Sequence, residues 1–221
     1  FTPAVVENLL QLASKWPNTV ITDNAIQVHL ASPPASSQTV MALVNFMVEL
    51  AMSIDERRAE LSAPGGLVDL VEPWSKLAKE KGLDFEPNIP AISGSNDRRR
   101  VLVIARQDDQ NVLHSELQLF FRPHRRTGMR LVPQGTENVV GQDIRVGNDT
   151  FDQTFIIKGY DPTAVREQLN PKVQQGLLEL AALSACELDD RRILARRLSL
   201  EPEVLLKAIN LSEEVANALH W

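Results

Sequence analysis

The 221 residues carry 23 Lys and Arg against 29 Asp and Glu, a net charge of −6, with 43% hydrophobic and 24% charged residues. This acidic balance excludes a nucleic-acid binder that works through overall charge, and the lone Cys186 excludes an intramolecular disulfide framework. Val40 to Ile54 is the most apolar stretch; it falls short of the roughly 20 residues a membrane-spanning helix needs, and Asn45 and Glu49 interrupt it.

Aromatics make up only 5% of the chain, so aliphatic side chains carry the packing and a stacking platform for bases or sugars is not expected. The chain opens at Phe1 without a Met or a signal peptide, and reads as a fragment or processed piece.

In chain order, Thr2-Pro3 opens an amphipathic helix with Val5, Val6, Leu9, Leu10, Leu12 and Ala13 as its apolar positions, and Pro17-Asn18 stops it. Thr19 to Leu30 alternates about the turn Thr22-Asp23-Asn24-Ala25 and reads as a hairpin. After the break Ser32-Pro33-Pro34 comes a long helix. Val40, Val44, Met47, Ala51 and Ile54 are expected on its inner face, at spacings of 4, 3, 4 and 3.

Ala63-Pro64-Gly65-Gly66 marks a boundary, and Leu67 to Lys81 reads as a helix ending at Gly82, with Lys79 and Lys81 in its last turn. Residues 87–90 and 93–96 read as loop. The strands expected next are Arg100 to Arg106, His114 to Arg122, Met129 to Val132, Asp143 to Val146 and Thr154 to Lys158. Turns at Asp108-Asp109-Gln110-Asn111 and Thr127-Gly128 suit an antiparallel meander.

Phe151 to Leu183 organises the rest. A strand runs into Gly159-Tyr160-Asp161-Pro162, and two helices start at Asp161-Pro162 and Asn170-Pro171, each with an acceptor at the cap and proline at the first helical position.

Part of that stretch occurs twice. Phe1-Thr2-Pro3-Ala4-Val5 aligns with Leu169-Asn170-Pro171-Lys172-Val173, and Leu9 to Ala13 with Leu177 to Ala181 at the same offset. The Asp23-Asn24 turn then matches Asp189-Asp190, and the long helix matches one with Val204, Ala208, Leu211, Val215 and Ala218 on its inner face. Both segments read helix, hairpin, helix, which an internal duplication explains. The second copy has a β-rich front half over residues 98–158. The first lacks one, so its front half is expected upstream of Phe1.

Trp74 to Leu83 (WSKLAKEKGL), Ile92-Ser93-Gly94 and Arg100 to Ala105 resemble the opening of a bacterial domain-of-unknown-function family. Phe151-Asp152-x-x-Phe155, Asp161-Pro162 and Leu169-Asn170-Pro171 resemble its later F-D-x-x-F … D-P … L-[TN]-P signature, with Asn170 where Thr is usual. The resemblance covers about residues 74–221 and rests mostly on hydrophobic and turn positions. It implies a bacterial source and proteins often associated with membranes, and it brings no catalytic residues.

Nucleophilic catalysis needs a Cys or Ser beside a base; Cys186 ends an apolar stretch and reads as a buried structural thiol. His29, His114, His124 and His220 are scattered with no metal-ligand spacing. Gly147 to Asp152 lacks the order and distal Glu of a calcium loop, and reads as a turn with Phe151 and Phe155 packed inward. No glycine-rich phosphate loop is present.

The basic cluster Arg122, His124, Arg125, Arg126 and Arg130 crowds an expected hairpin tip, with Arg98, Arg99 and Arg100 at the start of the same sheet. In an acidic chain, cations concentrated this way create a local field for phosphates, lipid headgroups or an acidic partner. The competing reading is a solvated turn whose arginines pair with nearby carboxylates. Arg191-Arg192 and Arg196-Arg197 read as the solvent face of a strand.

These observations imply an α+β fold: an antiparallel sheet followed by helix–hairpin–helix, with a duplicated helix–hairpin–helix segment at the N-terminus. Residues 1–58 are then the C-terminal half of a first, truncated unit, 59–73 a linker, and 74–221 a second, nearly complete unit. The expected function is a non-enzymatic binding or assembly module of a bacterial protein, with a protein partner or self-association. No cofactor, metal or nucleic-acid partner is expected. Anionic ligand or lipid-headgroup recognition through the arginine-rich hairpin is the alternative. The expected location is cytoplasmic, with membrane tethering through segments outside this sequence.

Overall fold

The computed structural model describes residues 3–16, 18–22, 25–28, 36–58, 65–108, 110–136 and 143–219. The chain forms two compact units, Phe1–Ser62 and Ala63–Trp221.

The first unit comprises α1 (Pro3–Lys15), β1 (Thr19–Thr22), β2 (Ala25–Val28) and α2 (Ser37–Arg58). The two strands pair antiparallel with Thr22 opposite Ala25. The expected turn residues Asp23 and Asn24 and the Ser32-Pro33-Pro34 break lie outside the described residues. Ser36 Oγ accepts from the Thr39 N–H at 3.2 Å and so caps the start of α2. Leu12, Leu43 and Leu50 are buried, with Leu9, Trp16, Val28, Phe46 and Met47 packed around them.

That core corrects the expected inner face of α2. Val40, Val44 and Ala51 are exposed; of the expected positions Met47 does turn inward, but beside Leu43, Phe46 and Leu50. The sequence is apolar on two nearly opposed sides of this helix, and periodicity does not choose between them. The side chain of Ile54 lies outside the described residues.

The second unit opens with a 3-10 turn (Gly65–Leu67) and α3 (Val68–Lys81), so helix begins inside the span expected as linker. Gly82 ends α3 at φ +64, and Leu83 N–H donates to Ala78 O at 2.8 Å, closing the last turn. Then come β3 (Asp84–Glu86), β4 (Ala91–Ser95), β5 (Arg99–Gln107), β6 (Leu113–Phe121) and β7 (Arg130–Pro133). They are followed by α4 (Asp149–Thr154), β8 (Phe155–Lys158), α5 (Pro162–Gln168) and α6 (Pro171–Ala181). The chain closes with β9 (Ala185–Asp189), β10 (Arg192–Leu198) and α7 (Pro202–Ala218).

Eight strands form one antiparallel sheet in the order β3-β4-β5-β6-β10-β9-β7-β8. The expected order of sheet first and hairpin afterwards is therefore corrected: the β9–β10 hairpin inserts into the sheet between β6 and β7. Thr127-Gly128 does not join neighbouring strands, because two later strands separate β6 from β7. Residues 91–95, partly assigned to loop, form β4, anchored by the buried Ala91 and Ile92. Residues 143–146 are not a strand, although Asp143 Oδ1 accepts from Ile157 N–H and Ile144 N–H donates to Ile157 O.

Burial alternates along β5 and β6, as expected for a sheet covered on one face. Val101, Val103, Leu117, Leu119, Phe121, Ile193 and Leu188 face a core completed by Trp74 of α3, Leu177 of α6 and Leu205 and Ile209 of α7. Both expected helix starts are present. Asp161 accepts from the Thr163 and Ala164 N–H groups, and Asn170 from those of Lys172 and Val173. Phe151 and Phe155 are buried with ring centroids 4.9 Å apart.

Candidate functional site

Three connections meet at one end of the eight-stranded sheet, and each brings arginines. The first joins β4 to β5: Asn96 Oδ1 accepts from the N–H groups of Arg98 and Arg99, both at 2.9 Å, in an Asx turn that leaves Arg98 exposed. Arg99 instead turns to α7, donating to Asn217 Oδ1 at 2.7 Å and Glu213 O at 3.4 Å. Burial draws its pKa below the usual arginine value, against the opposing effect of Glu213.

The second connection is the crossover from β6 to β7. Its Arg122 N–H donates to Arg98 O at 2.7 Å, and the Phe121 N–H to Arg191 O at 2.8 Å. Arg122–Pro123 is a cis peptide bond. The crossover then wraps the third connection, the β9–β10 turn. Arg125 N–H donates to Asp190 O at 2.8 Å, while Thr127 Oγ1 and Gly128 N–H donate to the two Asp190 carboxylate oxygens, each at 2.6 Å. Asp189 Oδ1 accepts from the N–H groups of Arg191 and Arg192 at 2.6 and 2.9 Å, closing that turn.

Of the five residues singled out from sequence, Arg122, His124, Arg126 and Arg130 are exposed. Arg130 lies on β7, level with Lys158 on β8 and Asp189 on β9. Arg125 does not share their environment. It is only 8% exposed, burial lowers its pKa, and Asp190 acts in the opposite sense. Its position is structural. The expected hairpin tip is thus a crossover loop, and Arg98 and Arg191 join its exposed cations from either side. Sequence reasoning assigned Arg191 to a strand's solvent face; the repeated Asp189-Asp190 turn was the available signal that it caps a hairpin end.

Both carboxylates of the β9–β10 turn are thus occupied by N–H and O–H donors. The exposed arginines around them form a cationic rim on an acidic protein, suited to hydrogen-bonding a phosphate or carboxylate.

At the opposite end of the sheet lies an open cleft of about 550 Å³ lined by Arg106, Gln107, Asp108, His114, Glu116, Ala185, Arg196 and Arg197. Charges are more evenly matched here. Arg196 pairs with Glu187 at 3.1 Å, and Arg197, at φ +58, sits in a bulge between Ala195 and Leu198. The Asp108 carboxyl is held below the usual range, first by the Val112 N–H it accepts, and also by the Gln110 N–H, Arg197 and His114.

Cys186 is fully buried, and burial, reinforced by Glu187, pushes its thiol far above the usual value. His114 lies beside the open cleft and His124 in the crossover; His29 and His220 lie outside the described residues. Asn148 accepts from the Phe151 N–H to cap α4, and Asp152 accepts from the Val146 and Gly147 N–H groups. The Gly147 to Asp152 segment, expected as a turn, is instead the capped first part of α4. Among the described residues no group of three or more His, Cys, Asp or Glu is placed to hold a metal ion, and no helix is long and apolar enough to cross a membrane.

No known family model matches the chain, and no curated protein matches it. Among solved structures it is similar to the crystal structure of the mycobacterial trehalose monomycolate transport factor A, TtfA. The two share 12% sequence identity at a TM-score of 0.43, over 67% of this chain and 93% of that one.

Proposed function

We propose that the chain is a non-enzymatic binding module of a bacterial protein whose second unit recognises phosphate-bearing anions, lipid headgroups foremost, through the arginine-rich end of its sheet. The observation that supports this is convergence. Arg98, Arg122, Arg126 and Arg191 come from three separate connections to one end and stay exposed, while Asp189 and Asp190 are engaged by turn and crossover donors. Arg125 holds the loop rather than the ligand. The membrane association common in the family that the sequence resembles suits such a role.

The test is co-sedimentation with vesicles of phosphatidic acid and phosphatidylcholine across a salt series. Binding should fall with salt, and Arg122→Ala with Arg126→Ala should weaken it by about thirtyfold, near 1 kcal/mol for each cation lost at the surface. Competition by inorganic phosphate at low concentration would identify a free phosphate as the ligand instead. Binding to neutral vesicles that is equally strong and insensitive to salt would sink the proposal.

A second reading concerns the first unit. Residues 1–58 and 169–221 are two copies of one helix–hairpin–helix element, and the first copy serves protein association. The exposed apolar side of α2, with Met41, Val44, Val48 and Met52 each at 45% exposure or more, favours this reading.

A further inference from the structure

A fourth connection reaches the arginine-rich end of the sheet, and it brings an aromatic ring rather than an arginine. Residues 159–161 lead from β8 into α5, and the Tyr160 N–H donates to Thr127 O at 3.3 Å, joining this loop to the crossover. The Tyr160 ring lies against Gly128, the residue whose own N–H donates to Asp190. A Cβ at Gly128 would stand 2.3 Å from Tyr160 Cδ2, and its φ of +66 is the left-handed conformation that favours glycine. The seat exists for glycine alone.

Tyr160 is nevertheless 90% exposed, and among the described residues no large hydrophobic side chain is more open. Single exposed aromatic side chains are common and call for no explanation. This one is held from both sides. Before it, a Cβ at Gly159 would stand 2.5 Å from Val165 Cγ2, so the chain passes too close to α5 for a side chain there. After it, Asp161 accepts from the Thr163 and Ala164 N–H groups, which also engages the one carboxylate of the loop. The ring is thus presented to solvent at a fixed place, against a crossover whose Arg126 and Arg130 stay exposed.

An apolar ring with a polar tip, set among exposed cations, matches one kind of surface. The anionic headgroups of a bilayer meet the arginines, and a tyrosine ring resides at headgroup level with its body toward the acyl chains and its hydroxyl in water. A phosphate ion in solution would use the cations and leave the ring idle. We infer that the arginine-rich end binds the surface of an anionic bilayer, with Tyr160 as its interfacial anchor. This rests on the headgroup reading above and specifies the bilayer, not a soluble phosphate, as what is bound. The arginines supply the salt-sensitive part of the affinity, and the ring a part that salt leaves unchanged.

The experiment uses the full chain with vesicles of phosphatidic acid and phosphatidylcholine. Tyr160→Ser, at an open position and checked by circular dichroism, should weaken co-sedimentation by about fivefold at low and at high salt alike, the effect of withdrawing roughly 40 Å² of ring from water. Tyr160→Trp should retain full binding. Tyr160→Cys can carry a polarity-sensitive label, because Cys186 is fully buried and stays unmodified. The emission of that label should shift to the blue with vesicles and be quenched by lipids brominated in their acyl chains. A label at Gln110→Cys, in the β5–β6 turn at the opposite end of the sheet, should do neither. A blue shift at position 160 with inorganic phosphate alone would overturn the anchor in favour of a ring that closes over a soluble anion. Vesicle binding unchanged in Tyr160→Ser, or a label that does not shift, would overturn the anchor and leave headgroup recognition through Arg122 and Arg126 standing. Absence of vesicle binding by the parent chain would overturn both.

Discussion

At position 190 one carboxylate holds three things: the Thr127 hydroxyl, the Gly128 N–H and, by charge, the buried Arg125. Asp190→Ala leaves two donors without their acceptor and weakens the compensation of a buried cation. A loss of about 2–4 kcal/mol in urea denaturation is expected, partly restored by pairing it with Arg125→Met. Gly176 shows the opposite kind of constraint. A Cβ there would stand 2.5 Å from Val215 Cγ2, and a β-branched neighbour in a helix cannot turn aside cheaply. Gly176→Ala should therefore destabilise by about 1–2 kcal/mol despite the better helix propensity of alanine, and Val215→Ala in the same chain should relieve the clash. Cys186 gives a pH signature. Its folded pKa lies above the unfolded value, so the unfolded chain releases the proton first and stability falls as pH rises past that value. Above about pH 9 the loss should approach roughly 1.4 kcal/mol per pH unit, and Cys186→Ala should flatten it in pH-dependent denaturation.

Among the elements, those legible in the sequence were the ones decided locally. Asp161-Pro162, Asn170-Pro171 and Gly82 fix helix ends with side-chain acceptors, proline at the first turn and a left-handed glycine, all within a few residues. What was not legible is settled between distant residues. Nothing within β9 or β10 announces that they enter between β6 and β7, because the pairing of Phe120 with Arg192 is chosen by the packing of a whole face. The burial of Arg125 was hidden for the same reason: its partner lies in a turn that only the insertion brings near. On α2 two apolar sides competed, and the pattern could not say which would meet α1. The sheet order predicts an exchange hierarchy: amides of β5, β6 and β10 should be slowest, and those of the edge strands β3 and β8 fastest, in native-state hydrogen exchange.

For the molecule as a whole, the disparity between the two cores sets the expectation. Leu12, Leu43 and Leu50 are the buried centre of the first unit, whereas the second has a continuous core drawn from one face of its sheet and from α3, α6 and α7. Calorimetry should resolve two transitions, the first unit melting earlier. Trp16, partly exposed in the first unit, and Trp74, buried in the second with its indole N–H donating to Leu200 O at 3.0 Å, give separate fluorescence reporters. With Trp221 replaced by Phe, a coincident single transition for Trp16 and Trp74 would contradict this.

The late insertion of β9–β10 has a consequence for biosynthesis. As the chain leaves the ribosome, β6 and β7 emerge well before the two strands that belong between them. The sheet cannot close until residue 198 is free of the exit tunnel, so β3 to β8 wait with apolar surface and open edges in reach of chaperones. A nonsense mutation that removes only β10 and α7 would therefore not yield a shortened domain. It would leave a nascent chain with its sheet split in two, a substrate for proteolysis.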